Sequence, residues 1–399
     1  MNAVVDLKQP NLYPTDTGAM LLERARALVP MLQERAVESE RLRRLAPESF
    51  EALRDAGLLK LYAPRRHGGF ALTPLEAVRI YAEIARGDGA AAWVTMIMST
   101  NSWMAAQFHD SVQATLFEGG DIRVVGVIGG GGGKSEARKV DGGYLLSGFW
   151  PFCSGCHYAK WVMLGAAVAE PDDAGAGQLL FAVPQDALTI KDDWHTSALT
   201  GSGSNSVMCK EVFVPSEQAI DLAAAAANLD KDPLYRMNFV NLFAYQLVGP
   251  ALGFARAAVE HFVGSAPKRG IAYTNYEKQV EAPVAQVRLG EAMVKIAAAT
   301  ALAERDLEEM MANTLDEPVP LLRRGERRAN ASYVARLCLE AVETIFLSAG
   351  ASSILQSNPL QRIARDIHAD NMHGALVLDT SLELLGRLRF GLEPNTYVI

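Results

Sequence analysis

The sequence predicts an α+β fold in three consecutive parts, an N-terminal α-helical domain, a central β-barrel and a C-terminal four-helix bundle, and three observations carry that expectation. Between about 18 and 120 the apolar residues recur every three or four positions, the period of helices that bury one face. From 121 to 220 the period shortens to two, in runs rich in Val, Leu and Phe broken by Gly, Asp and Pro, as half-buried strands require. From 230 to 399 the helical period returns in long Ala- and Leu-rich segments joined by short turns, which suits a bundle.

In the first part, Pro47 opens a helix that Gly57 closes. Thr73-Pro74-Leu75-Glu76 supplies another start: the Thr73 hydroxyl caps free backbone N–H groups, Pro74 takes the first helical position, and Glu76 answers back to Thr73. That helix should run to about Gly87. The next follows Asp88 through AAAWVTMIMSTNSWMAAQF, apolar nearly all round and therefore buried. The middle part offers the strands RVVGVI, YLLSGFW, KWVMLGAAV, QLLFAVP and NSVMCKEVFVP. The glycine run at 129–133 has the look of a phosphate cradle, but no helix follows it, so it reads as a strand connection. The Ala-rich stretch at 223–228 is the junction to helical segments near 232–265, 280–313, 323–350 and 359–388.

A chain of 399 residues, 49% hydrophobic and 21% charged, is long and apolar enough to bury a large core. With 38 basic against 46 acidic residues and a net charge of −8, it lacks the clustered cations that recruit nucleic acid or an anionic membrane. Four cysteines are too few for a disulfide framework and suit the reducing cytoplasm. Neither a signal peptide nor a membrane anchor is expected, because the N-terminus has no basic region before an apolar one and no window approaches ~18 uncharged apolar residues.

Few residues announce chemistry by themselves. Cys153 and Cys156 form one C-x-x-C, but no second pair completes a zinc site, and the segment reads as strand rather than a redox helix start; both are expected to be buried structural thiols. His67 and His109 read as surface or capping residues. His195, after Trp194 in DDWHTSALTGSGSNS, suits a ligand contact or a solvated loop equally. His368 and His373, five apart on an expected helix, do not share a face and make no metal pair, so no metal is expected. No Ser-His-Asp or Cys-His order can be assigned.

Four strings are more specific. AGLLKLYAPRRHGGFALTPLEAVRIYAEIARGDGAAAW, GGYLLSGFWPFCSGCHYAKWVMLGA, VPQDALTIKDDWHTSALTGSGSNSVMCKEVFVP and FLSAGASSILQSNPLQRIARDIHADNMHG, in that order, resemble the acyl-CoA dehydrogenase superfamily over nearly the whole chain. The resemblance implies an acyl-CoA dehydrogenase-like fold whose C-terminal bundle assembles a homotetramer and helps to bind flavin. A dehydrogenase of this fold needs a carboxylate to take a proton α to a thioester. The commonest position for it, after Arg365-Asp366, falls at Gly374, and the alternative on an earlier helix falls at Phe243; neither is acidic.

The chain is instead similar to the flavin-dependent monooxygenases built on this fold. The resemblance implies the oxygenase component of a two-component system. Such an enzyme takes reduced flavin, FAD or FMN, from a separate NAD(P)H:flavin reductase and uses O₂ through a C4a-(hydro)peroxyflavin to hydroxylate a small aromatic or heteroaromatic substrate. The absence of a Rossmann motif fits a separate reductase. By the same resemblance Phe152, Ser154, Arg269, Gly350 and Arg365 contact flavin. His373 is a general base or a hydrogen-bond donor to the activated oxygen. Many aromatic hydroxylases place a histidine where Asn101 stands, and Asn101 cannot act as a base near neutrality. That disfavours a simple phenol and favours a substrate that needs no deprotonation there, such as an indole. Indole-3-acetate is one candidate, and Trp103, Trp194, Phe243, Tyr245 and Met372 are candidate pocket residues. The alternatives are an N-hydroxylase or nitrososynthase acting on an amine or amino sugar, a dehydrogenase with an unrecognised base, and an idle flavin-fold scaffold.

Overall fold

The computed structural model describes residues 15–129, 135–169, 177–226, 232–312, 319–396 and 399. The helical start comprises α1 (Asp16–Leu42), α2 (Pro47–Asp55), α3 (Pro74–Ala85), α4 (Gly89–Ala105) and α5 (Asp110–Leu116). The capping box of α3 forms: Glu76 N–H donates to Thr73 Oγ1 at 3.3 Å, and Thr73 N–H donates to Glu76 Oε2 at 2.9 Å. Asp88 caps α4 by accepting Ala90 N–H at 3.0 Å. Every residue of α4 is buried, as its all-round apolar sequence requires.

Among the described residues eight strands form one sheet: β1 (Val124–Val127), β2 (Glu136–Val140), β3 (Gly143–Trp150), β4 (Trp161–Ala169), β5 (Gln178–Pro184), β6 (Thr189–Ile190), β7 (Val207–Pro215) and β8 (Ala219–Ile220). Their order is β6-β7-β3-β2-β4-β5-β8, with β1 and β2 sharing one edge of β4 in parallel pairing and the other pairs antiparallel. The expected barrel is therefore corrected to an open sheet among the described residues. Its end strands β6 and β8 have two residues each, too few to carry the staggered ladder that closure needs. The five expected strands correspond to β1, β3, β4, β5 and β7. Of the glycine run, residues 130–133 lie outside the described residues, as do 227 and 228 of the Ala-rich junction.

The C-terminal part contains α6 (Leu222–Ala226), α7 (Phe239–Ser265), α8 (Pro283–Ala312), α9 (Leu321–Ser348), α10 (Pro359–Asn371) and α11 (Leu378–Arg389). Helix α9 packs against α7, α8, α10 and α11, so the core of this part runs along it. The expected segment 359–388 is two helices. It breaks after Asn371, and the break carries His373. The stretch Phe239–Lys268 is long and apolar enough to cross a membrane, yet 89% of its apolar window is buried inside the protein, so its apolarity is that of a core helix.

Candidate active site

Three side chains from three elements meet at the C-terminal end of α10. Trp93 comes from the first turns of α4, Phe243 from the start of α7, and His373 from the turn between α10 and α11. The His373 ring lies 5.9 Å from that of Trp93 and 5.4 Å, edge to face, from that of Phe243. Phe243 stacks on Phe239 at 5.6 Å, and Phe239 lies tilted against Trp103 at 5.6 Å, so an aromatic ladder leads from this corner into the core. Position 373 was expected on a helix. It stands two residues beyond the helix end, and there its Nδ1 accepts the Ala375 N–H at 3.2 Å. That bond assigns the ring hydrogen of the neutral imidazole to Nε2. Burial pushes the His373 pKa down to about 4, so the neutral donor form prevails near neutrality.

Ser154 joins this corner through Trp93, whose Nε1–H donates to Ser154 Oγ at 3.0 Å. The Ser154 hydroxyl pairs with that of Ser204 at 2.7 Å, and Ser204 with Ser202 at 2.6 Å. Backbone bonds from Cys153 N–H to the Asn205 carbonyl (3.1 Å) and from Gly155 N–H to the Ser202 carbonyl (3.0 Å) lace the two segments together. The C-x-x-C segment is thus a turn and not a strand: Phe152 and Gly155 both take positive φ, 62° and 75°. A left-handed Phe costs on the order of 1 kcal/mol, and such strain concentrates at functional sites. Cys153 and Cys156 are buried free thiols. The Cys156 thiol and burial hold the Cys153 pKa well above the ordinary range, which suits an inert structural role.

Asn101 lies two turns along α4 from Trp93 and is buried. Its Nδ2 donates to the Ile97 carbonyl at 2.8 Å, while its Oδ1 has no partner among the described residues. A Cβ on Gly126 of β1 would stand 2.3 Å from that oxygen, so the glycine is what admits the amide there.

The remaining expected site residues are dispersed. Phe152, 70% exposed, meets Trp194 edge to face at 6.0 Å, and the two make an aromatic corner beside the Ser154 turn. Arg365 bonds Glu40 at 2.7 Å and donates to the Ser197 carbonyl, so it holds protein backbone. Arg269 and Gly350 approach one another, with Arg269 Nη2 3.4 Å from where a Gly350 Cβ would be. Gly350 lies just beyond the end of α9, whereas His373 follows the end of α10. Three expected pocket residues differ in burial and bonding. Trp103 is wholly buried and donates to the Leu234 carbonyl at 2.8 Å. Tyr245 is buried and donates to Asp306 on α8. Met372 is 75% exposed. His195 lies against Arg43, whose Nη1 is 3.1 Å from its Nε2. The residues that sequence reasoning missed are Trp93, Ser202 and Ser204. Trp93 and Asn101, eight apart on a helix begun at Asp88, fall on one broad face, and that spacing was the available signal.

The acyl-CoA dehydrogenase N-terminal domain model matches residues 15–112 and the C-terminal domain model residues 245–377. Over 378 residues the chain is 31% identical to the flavin-dependent monooxygenase, oxygenase subunit HsaA, of Rhodococcus jostii (strain RHA1), covering 93% of this chain and 98% of that one. The indole-3-acetate monooxygenase of Pseudomonas putida is 26% identical, over 92% of this chain and 93% of its own. Among solved structures, XiaF from Streptomyces sp., in complex with FADH2 and glycerol, superposes with a TM-score of 0.89 at 26% identity, covering 95% of this chain and 97% of that one.

Proposed function

The chain belongs to the acyl-CoA dehydrogenase family and stands among its flavin-dependent monooxygenase oxygenase subunits, and from that premise we propose that it hydroxylates a small aromatic or heteroaromatic substrate with reduced flavin and O₂. The observation that carries the reading is the corner itself. Where a dehydrogenase would carry its carboxylate, this chain has the Phe243 ring and the exposed Gly374, and an imidazole donor faces two aromatic rings. Bound reduced flavin supplies two electrons to O₂, one of whose atoms enters the substrate while the other leaves as water.

The residues present fit a flavin. The Ser154 hydroxyl, held by Trp93 and Ser204, is the group to bond the polar edge of the ring system, and the strained Phe152 with Trp194 offers an apolar wall. The unpartnered Asn101 Oδ1 is a buried acceptor that a ring N–H of flavin or substrate would satisfy. His373 donates from Nε2 to the oxygen being transferred; with Nδ1 occupied by the Ala375 N–H and the pKa held low, the donor role is favoured over that of general base. Trp93 and Phe243 orient a planar substrate and exclude water. With no base at Asn101, an indole-like substrate such as indole-3-acetate is favoured over a simple phenol.

A separate flavin reductase supplies the reduced cofactor, and four free cysteines suit a cytoplasmic enzyme. Exposed Val284, Val287 and Val294 on α8, spaced on one face, support association into the expected homotetramer. Arg269 and Gly350, which approach one another just beyond the end of α9, serve the flavin of a neighbouring subunit.

The test is rapid mixing of protein loaded with reduced FAD or FMN against oxygenated buffer. A transient spectrum that is neither reduced nor oxidised flavin, outliving the one in free solution and consumed faster when an indole is added, is the expected result. Direct return to oxidised flavin at the free-solution rate, with and without indoles, phenols and amines, would sink the proposal.

A further inference from the structure

We propose that Asp366 and Asp88 are a positioning pair that latches the loop 197–204 onto α4 and α10, and that the latch is closed by one shared proton. The proposal rests on the site described above, because three of the elements that build that site meet at this one junction. Helix α4 brings Trp93 and Asn101, α10 leads to His373, and the loop itself carries Ser202 and Ser204.

The junction is built from close contacts. Asp366 Oδ1 accepts the Leu199 N–H at 2.6 Å and so holds Leu199 in a left-handed conformation, φ 46°. Asp88 uses Oδ1 on the Ala90 N–H that starts α4, while its Oδ2 is buried with no partner among the described residues. A Cβ on Gly89 would lie 3.2 Å from Asp366 Oδ2, so the two carboxyl groups flank the same residue. The loop is seated just as tightly, since a Cβ on Gly201 would stand 2.9 Å from Ser39 Cβ and 3.1 Å from Ala90 Cβ.

Charge balance then requires a proton. Facing the pair are Glu40 from α1 and Arg362 and Arg365 from α10. Glu40 lies 3.7 Å from Arg362 and 2.7 Å from Arg365, which also binds the Ser197 carbonyl. Three carboxylates against two guanidinium groups leave surplus negative charge beside two buried aspartates, and the relief is protonation of the pair. Burial, with Asp88 adding to it and the Leu199 N–H opposing it, raises the Asp366 pKa to about 7. Burial, opposed chiefly by Arg362, raises that of Asp88 to about 6. A raised carboxyl pKa means that the folded state keeps a proton the unfolded chain has lost. Stability from this pair is therefore full at low pH and is lost as the pH rises from about 4 toward 7. Above that, two buried carboxylates repel across the start of α4, and the loop loosens.

Asp366→Asn mimics the protonated latch: its carbonyl can still accept the Leu199 N–H, and the buried pair loses one negative charge. Two readouts separate the latch from the site. In flavin-free protein, amide-exchange protection factors at Leu199–Ser204 should fall at least fivefold between pH 6 and 8 in the wild type and stay level in Asp366→Asn. Affinity for oxidised FMN and FAD should fall likewise in the wild type, stay at its low-pH value in Asp366→Asn, and keep the wild-type pH dependence in His373→Gln. Asp366→Asn protection factors that follow pH as the wild type's do would overturn the latch whatever flavin does. If Ser154→Ala binds flavin as tightly as wild type while the amides behave as expected, the site reading fails and the latch stands.

Discussion

At the residue scale the structure turns His373 from a helical histidine into a donor with a fixed tautomer. Its folded pKa, about 4, lies below the ordinary 6.5, so it withholds stability as the pH falls from 6.5 toward 4 and is silent from pH 7 to 9. His373→Ala should lower coupled turnover about 100-fold, the scale for losing one donor at a reacting oxygen, whereas His373→Gln, which keeps an N–H, should retain most of it. Equal losses in the two variants, measured as product formed per NAD(P)H consumed, would return the residue to a base or a packing role. Phe152 offers a test of opposite signs. Glycine adopts φ 62° freely, so Phe152→Gly should raise stability by about 1 kcal/mol while weakening flavin binding, readable as a higher Tm with a higher Kd. The serine and histidine were legible by resemblance, but Trp93 was not, because a tryptophan on an all-apolar helix has no sequence mark that separates a site wall from core.

At the element scale, what could be read from the sequence was whatever local chemistry decides. The Thr73 box, the Asp88 cap and the five alternating strands all formed, since each depends on residues within one turn or one pleat. Strand β2 was missed because EARKV has no apolar alternation and is held by pairing with β3 and β4. The break between α10 and α11 was missed because its only local signal is Gly374, while the turn is fixed by the His373–Ala375 bond and by packing on α7. Packing also governs the loop 197–204, and there Gly201 is the sensitive position. A methyl group at Gly201 would meet Ser39 and Ala90 Cβ atoms that belong to two rigid helices. Gly201→Ala should therefore destabilise by about 1–3 kcal/mol, as overpacking does, and weaken flavin binding by displacing Ser202 and Ser204. An unchanged Tm and Kd would mean that the loop yields freely and does not position the site.

At the scale of the whole molecule, the closed barrel was the expectation that strand pairing revised. Strand count and periodicity do not determine whether the ends of a sheet meet, and a list of motif residues does not say which chain presents them. Arg269 and Gly350 stand beside each other just beyond the end of α9, while His373 follows the end of α10. If a neighbouring subunit supplies them, a Ser154→Ala chain and an Arg269→Glu chain are each defective at a different half of the site. Mixed assemblies then contain some sites with both halves intact. Refolding or co-expressing the two variants at equal amounts should restore about a quarter of the wild-type flavin-binding capacity, by random pairing of halves. Val287→Glu with Val294→Glu, which places charge on the exposed apolar face of α8, should lower the assembly mass in light scattering and lose flavin binding in parallel. Complementation that never exceeds the two variants measured separately would put both halves of the site in one chain. Monomeric Val287→Glu, Val294→Glu protein that still binds FMN at wild-type affinity would dismiss any part for a neighbouring subunit in holding it.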